Sequence, residues 1–264
     1  MKRWHVFLLI STILCCTIIG YELYGYYAPP AVRQPYHLPI HEDDTLRIAY
    51  IGDSWAFMHR NHDCQIARIL ADSLHRPIKV HSYGICGLTS KEIYENLFDN
   101  ANMKRFMLKR NYKYCFISAG INDTYKKMST SYFQHSMDAI IQFLLANDIR
   151  PIILEIPDFD IVKAYDMQRA NRKLLRRASM LITDTKMDCK QDFRNALHEL
   201  IKEKGYQDKV DVIQFIEWNN NYQNDLRTYY VADGMHLNQE GYLRLDSIIV
   251  RHILNRFSLW NSMS

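Results

Sequence analysis

From Leu46 onward the chain repeats one unit, a short run of β-branched or aromatic residues followed by a longer stretch with helical spacing of its apolar positions. The runs are Leu46 to Ile51, Ile78 to Tyr83, Tyr114 to Ser118, Pro151 to Ile156 and Val210 to Phe215. Each has the length of a strand and is bounded by turn or charged residues. The helical stretches are Cys64 to Leu74, Ser90 to Leu97, Ser131 to Asn147, a long segment from Ile161 to Lys204, and Asn238 to Arg256. Alternating units of this size require crossover connections, so the sheet they form is parallel and covered by helices on both faces. The expectation is an α/β domain over residues 46–256 with a parallel five-stranded sheet. A chain of 264 residues that is 48% hydrophobic can bury the core such a sheet needs, and it shows no repeat that would indicate a solenoid.

Open parallel sheets hold ligands at the carboxyl ends of their strands. Gly52-Asp53-Ser54 follows the first run, Gly84 to Thr89 the second, and Gly120 to Asp123 the third. The fourth is followed by Pro157-Asp158-Phe159-Asp160. After the fifth, an aromatic and Asn-rich segment from Glu217 to Tyr230, read as a loop, leads into Asp233-Gly234-Met235-His236.

These turns hold the parts that serine catalysis needs: a nucleophile, a base, a group that orients the base, and donors for the developing oxyanion. Ser54 is the candidate nucleophile, at the start of an expected helix. His236 is the candidate base and Asp233, three residues earlier, its orienting carboxylate. Gly87 and Asn122 can supply a backbone N–H and a side-chain amide. Each residue also has a plainer reading. Ser54 could cap a helix, Asp233-Gly234 could be an ordinary turn, and Asp53 and Asp123 are expected as caps. Spacing alone decides nothing, since Asp72 and His75 repeat the same D-x-x-H interval inside an expected surface helix.

Taken in order, the four blocks Gly52-Asp53-Ser54, Ser82 to Thr89, Gly120-Ile121-Asn122-Asp123 and Asp233 to Asn238 resemble those of the SGNH hydrolases, the GDSL esterase and lipase superfamily. The resemblance implies a flavodoxin-like three-layer α/β/α sandwich and ester hydrolysis or acyl transfer through a serine. By position it implies Ser54, Asp233 and His236 as the catalytic triad, with Ser54, Gly87 and Asn122 forming the oxyanion hole. Two residues depart from the pattern. Trp55 stands where leucine is usual, and Ser82 replaces the common asparagine. The second departure leaves Gly84 as an alternative to Gly87, which is favoured because it lies two residues before Thr89. No cofactor or metal is implied, and the histidines form no HExxH pair.

Ahead of the domain, Lys2 and Arg3 precede Trp4 to Gly20, a stretch without a lysine, arginine or acidic residue. Residues 1–27 are therefore an N-terminal transmembrane anchor or a signal helix. Tyr21, Tyr24, Tyr26 and Tyr27 sit where headgroups would be, and no small-x-small cleavage site directly follows the run, both of which favour the anchor. Positive charge before the run places the rest outside the cytoplasm, or secreted if the segment is cleaved. Residues 28–45, with four of the seven prolines, read as an extended tether, and residues 257–264 as a C-terminal tail.

Of the formal net charge of +4, half comes from residues 1–34, which hold Lys2, Arg3 and Arg33 against Glu22. The remaining excess gives no basis for nucleic-acid binding. The long segment after Ile161 does contain one basic amphipathic stretch, with Arg169, Arg172, Lys173, Arg176 and Arg177 interleaved with Leu174, Leu175 and Leu181. It is either a solvated face or a contact for anionic glycan or lipid headgroups. Cys64 and Cys86 are a candidate disulfide, while Cys115 lies in a strand and reads as a buried thiol. The expected function is an extracytoplasmic esterase acting on acyl, chiefly acetyl, esters of carbohydrate or envelope polysaccharide. An O-acyltransferase, a lipid esterase and a non-enzymatic glycan-binding protein are the alternatives. Trp55 would shape the pocket, and Trp218, Tyr222 and Tyr229 would rim an open cleft suited to sugars.

Overall fold

In the computed structural model, which describes residues 3–39, 43–109, 111–218 and 221–261, the five expected strands form one parallel sheet. They are β1 (Leu46–Gly52), β2 (Ile78–Gly84), β3 (Tyr112–Ser118), β4 (Arg150–Leu154) and β5 (Asp211–Ile213), in the order β2-β1-β3-β4-β5. The helix α1 (Arg3–Tyr27) precedes the sheet. The first crossover carries α2 (Ser54–His59) and α3 (Gln65–Leu74), and the second α4 (Ser90–Asp99) and α5 (Ala101–Leu108). Next come α6 (Ile121–Lys126) and α7 (Thr130–Leu145), then α8 (Ile161–Asp166), α9 (Ala170–Thr183) and α10 (Lys190–Glu203). After β5 the chain forms α11 (Phe215–Trp218), α12 (Tyr222–Tyr229) and α13 (Gln239–Asn261).

The strand order explains where the helices lie. The chain steps from β1 to β2 in one direction and then from β2 over β1 to β3 in the other. With right-handed crossovers that reversal sends α3 to one face of the sheet and α4, α7 and α10 to the opposite face. Accordingly α4 and α10 both pack on α7, while α13 returns to pack on α3. The reversal also opens a crevice between the carboxyl ends of β1 and β3. Ile48, Ala49, Tyr50 and Ile51 are fully buried, as an interior parallel strand requires, and each isoleucine side chain contributes about 1.5–3 kcal/mol of burial.

Several elements differ from expectation. β5 is only three residues long, because Glu155 accepts the Phe215 N–H at 2.7 Å and turns the chain into α11. The Asn-rich segment is helical over α12, whose first turn is closed by Asn221 accepting the Asn224 N–H at 3.2 Å. A second helix, α5, follows α4, since Asn100 accepts the N–H groups of both Asn102 and Met103. The backbone of α13 continues through the expected tail as far as Asn261. All six cysteines are free, so the candidate bridge between Cys64 and Cys86 is not formed.

The expected tether is extended but fastened to the domain. Tyr94 Oη accepts the Arg33 N–H at 2.7 Å, and the Arg33 guanidinium grips Asp99 through both nitrogens. The Asn147 side chain accepts the Leu38 N–H at 2.8 Å and donates to the Tyr36 carbonyl at 3.1 Å. The Tyr36 ring packs edge-on against Phe98 and Phe143. Proline keeps this stretch out of helix and sheet, and Tyr94 of α4 and Asn147 just beyond α7 supply the partners its backbone lacks.

Candidate active site

Gly52 ends β1 so close to β3 that a Cβ there would collide with the Ser118 backbone, which confines the position to glycine. The chain then turns into α2, capped by Asp53, whose carboxylate accepts the Trp55 N–H at 3.0 Å. Asp53 is therefore structural, as expected. It is fully buried, and burial pushes its carboxyl up to about 7 despite the hydrogen bond from Trp55. Ser54 opens α2, where a helix of this geometry leaves the first N–H groups without intrahelical acceptors.

The Ser54 hydroxyl donates to His236 Nε2 at 2.8 Å, and His236 Nδ1–H donates to Asp233 Oδ2 at 2.6 Å. The carboxylate also folds the turn that carries them both, accepting the N–H groups of Met235 at 2.8 Å and His236 at 2.9 Å. Partial burial would raise the Asp233 carboxyl, but hydrogen bonds from the His236 ring and these two N–H groups more than offset it. The net shift is downward, which keeps the group ionised. The turn is closed by an antiparallel bridge between Tyr230 and Leu237, with Gly234 at φ +68°.

Two aromatic residues expected at the substrate brace this turn. Trp55 is fully buried, and its indole N–H donates to the Met235 carbonyl at 3.2 Å. Tyr222 donates its hydroxyl to the Gly234 carbonyl at 2.7 Å. Trp218 is buried edge-on against Trp55, with ring centroids 5.9 Å apart, and so cannot rim a cleft. Tyr229 is drawn toward α13, its ring beneath the Arg244 guanidinium at 5.0 Å. The physical reason is common to these four aromatic side chains: their polar tips find backbone or side-chain partners within the fold.

The oxyanion candidates lie on the two neighbouring strand ends. Gly84 is packed against α2 so tightly that a Cβ would strike the Asp53 and Phe57 backbone, giving it a packing role. Gly87 has φ +81° and open space where a Cβ would project. Asn122 sits in the first turn of α6 beyond Gly120, which takes φ +104°, and its amide donates to Asp53 Oδ2 at 3.3 Å. That leaves the second amide hydrogen for a ligand. Asp123 lies in the first turn of α6 and reaches across to Ser90, the first residue of α4. It accepts the Ser90 N–H at 2.9 Å and hydroxyl at 2.5 Å, joining the Gly87 loop to α6, and its burial pushes the carboxyl up to about 6.

In the same helix as Ser54, His59 bonds Asp246 in α13 through Nε2 at 2.8 Å and Ser82 through Nδ1 at 2.7 Å. Sequence reading missed this link, and no spacing signal marks it, since the residues are far apart in the chain. Cys64 brings a third ligand-type atom, all within 4.8 Å, but the Asp246 carboxylate also accepts the Gln65 N–H, so the groups are committed to joining α2, α3 and α13.

Tyr222 also lines an open cleft of about 440 Å³ with Asp158, Asp160, Asp188, Lys190 and Gln223. Beside Gly52, a much smaller cavity of about 10 Å³ is lined by Ile85, Leu88, Ile93 and Met103.

Residues 50–244 match the profile of the GDSL-like lipase/acylhydrolase family. The fold is similar to that of a lipase/acylhydrolase from Enterococcus faecalis, at 17% identity, TM-score 0.56, and coverage of 80% of this chain and 96% of that one. An esterase, EstA, from Pseudoalteromonas aligns at 12% identity and TM-score 0.53, covering 82% of this chain and all of its own. An acetyl xylan esterase, AlAXEase, aligns at 15% identity and TM-score 0.51, with 79% and 100% coverage. No curated protein sequence matches the chain. With its family profile running from the first strand into the last helix, the chain belongs to the GDSL-like lipase/acylhydrolase family and is a serine ester hydrolase.

Proposed function

We propose that the protein is a membrane-anchored, extracytoplasmic esterase that removes short acyl groups, acetyl above all, from carbohydrate or envelope polysaccharide. The observation that carries the chemistry is the unbroken relay from Ser54 through His236 to Asp233, with contacts of 2.8 and 2.6 Å. Ser54 Oγ attacks the ester carbonyl while His236 Nε2 takes its proton, and the ionised Asp233 stabilises the imidazolium so formed. The Ser54 and Gly87 N–H groups and the free Asn122 amide hydrogen receive the oxyanion. His236 then returns the proton to the leaving alkoxide, and water, deprotonated by the same nitrogen, releases the acid.

Two spaces near the turns that carry Ser54 and His236, one lined by Gly52 and one by Tyr222, support a small acyl group and a polar alcohol. The cavity at Gly52, two residues before Ser54, holds about one water-sized group, room that supports a small acyl group. The Tyr222 cleft is edged by carboxylates and Lys190, groups that hydrogen-bond sugar hydroxyls. The likeness to an acetyl xylan esterase fits this reading. Residues Phe7–Tyr27 of α1 are long and apolar enough to cross a membrane and are not covered by the rest of the described chain. Lys91 donates to the Gly25 and Ala28 carbonyls at the end of that helix, a contact that favours an uncleaved anchor.

The test is acetate release from acetylated xylan by the detergent-solubilised full chain. The expected result is turnover that falls on the order of a thousandfold or more in Ser54→Ala. Acetate release unchanged by the substitution would overturn the mechanism. Turnover of long-chain esters in preference to acetyl esters would overturn the substrate.

A further inference from the structure

The helix α9 is turned inside out. Its inward residues are polar: Arg176 and Ser179 are buried, Arg176 donating to the Lys126 carbonyl, while Thr183 donates to the Lys127 carbonyl at 2.9 Å. Its apolar residues face away from the domain, with Leu174 70% exposed, Leu181 87%, Ile182 56% and Leu175 42%. At 3.6 residues per turn these four and Ala178 fall within about 120° of the helix circumference, one continuous stripe. Arg172 and Arg177 flank it on either side, Arg169 precedes it, and no acidic residue lies within the helix. A solvated helix face would carry the opposite pattern.

What covers the stripe is indicated by its neighbour. Tyr27, the last residue of α1, is hydrogen-bonded through its hydroxyl to Ser179 Oγ at 2.6 Å. The helix with the outward leucines is thus fastened to the point where the apolar segment ends. We infer that the Leu174–Ile182 stripe of α9 lies in the headgroup region of an anionic bilayer, beside the exit of α1. Leucine and isoleucine enter the acyl boundary and the flanking arginines meet lipid phosphates, the arrangement of an interfacial helix. With the strap from Arg33 to Leu38 bonded along α4 and α7, this second contact fixes the domain's orientation on the membrane rather than leaving it swinging on a spacer. The inference rests on α1 being a retained anchor.

The experiment incorporates a benzophenone amino acid at position 13, 68, 174 or 181 of the full chain, reconstituted into phosphatidylglycerol vesicles. Acetyl-ester turnover verifies that each variant is folded. After irradiation, lipid adducts are expected at 13, 174 and 181 and not at 68, which lies on α3 across the sheet. In phosphatidylcholine vesicles the yield at 174 and 181 should fall several-fold while that at 13 stays constant. Adducts at 13 with none at 174 and 181 would overturn the inference and leave the anchor standing. Protein-to-protein crosslinks at 174 and 181 in place of lipid adducts would also overturn it, assigning the stripe to a second copy. No adduct at 13 would overturn the anchor reading and this inference with it.

Discussion

The Trp55 indole N–H and the Met235 carbonyl, 3.2 Å apart, join the residue after Ser54 to the residue before His236. The Tyr242 hydroxyl holds the Trp55 carbonyl at 3.1 Å, so the clamp is anchored in α13 as well. Chain segments some 180 residues apart in sequence are thereby kept in register, and the 2.8 Å contact between Ser54 and His236 depends on it. Replacing Trp55 by Phe keeps an aromatic core residue and removes the donor. The expected result is a fall in kcat on the order of tenfold with KM little changed, because small misplacement of a base is costly. Steady-state kinetics on acetyl esters checks this, and a change confined to KM would mean that Trp55 contacts substrate after all.

Tyr222 braces the same turn from the other side. In Tyr222→Phe the hydroxyl that donates to the Gly234 carbonyl is lost, and stability should drop by about 1 kcal/mol. Because the residue also lines the polar cleft, KM for acetylated xylan should rise more than KM for a small phenyl acetate. Urea unfolding and a two-substrate comparison separate these effects.

Asp53 and Asp123 give the fold a pH dependence. Burial raises their carboxyls to about 7 and about 6, above their unfolded values, so the folded state holds protons that the unfolded state has released. The stabilisation from that protonation is fully present below about pH 4 and is lost as pH rises through 6 and 7. Melting temperature should therefore decline between pH 5 and 8. Asn at position 53 caps a helix as well as Asp and carries no charge, so Asp53→Asn should show a shallower decline over that range. An unchanged slope would mean that Asp53 does not titrate there.

The His59–Asp246 bond holds α13 to α2, the helix that Ser54 opens, with both side chains buried. Asp246→Ala leaves the His59 ring N–H and the Gln65 N–H without their acceptor, and should cost about 2–4 kcal/mol in urea unfolding. Asp246→Asn retains one acceptor and should cost less.

The parts of this molecule written in local sequence were legible there. Strands β1 to β4 and the turns carrying Ser54, Gly87, Asn122 and His236 follow from apolar runs ended by glycine and Asx residues, since turn chemistry is local. What stayed hidden depends on distant partners. The prolines before Leu46 do extend the chain, but nothing near Tyr36 says that Asn147 and Phe143 will hold it. Trp55 reads as a pocket wall because an aromatic next to a candidate nucleophile often is one, and Trp218 as a cleft rim from its aromatic, Asn-rich segment; only packing against distant elements buries them. The helix α12 was obscured by its asparagines, which disfavour helix interiors yet serve at its start. In α9 the leucine periodicity was visible, but not that the leucines face outward.

The central claim is that Ser54 carries the acyl group. Intact-protein mass spectrometry after reaction with an alkyl fluorophosphonate, followed by peptide mapping, tests it most directly. One adduct per chain is expected, located on Ser54, absent from Ser54→Ala and slowed in His236→Ala. Labelling that persists in Ser54→Ala, or a wild-type adduct mapped to another residue, would contradict it.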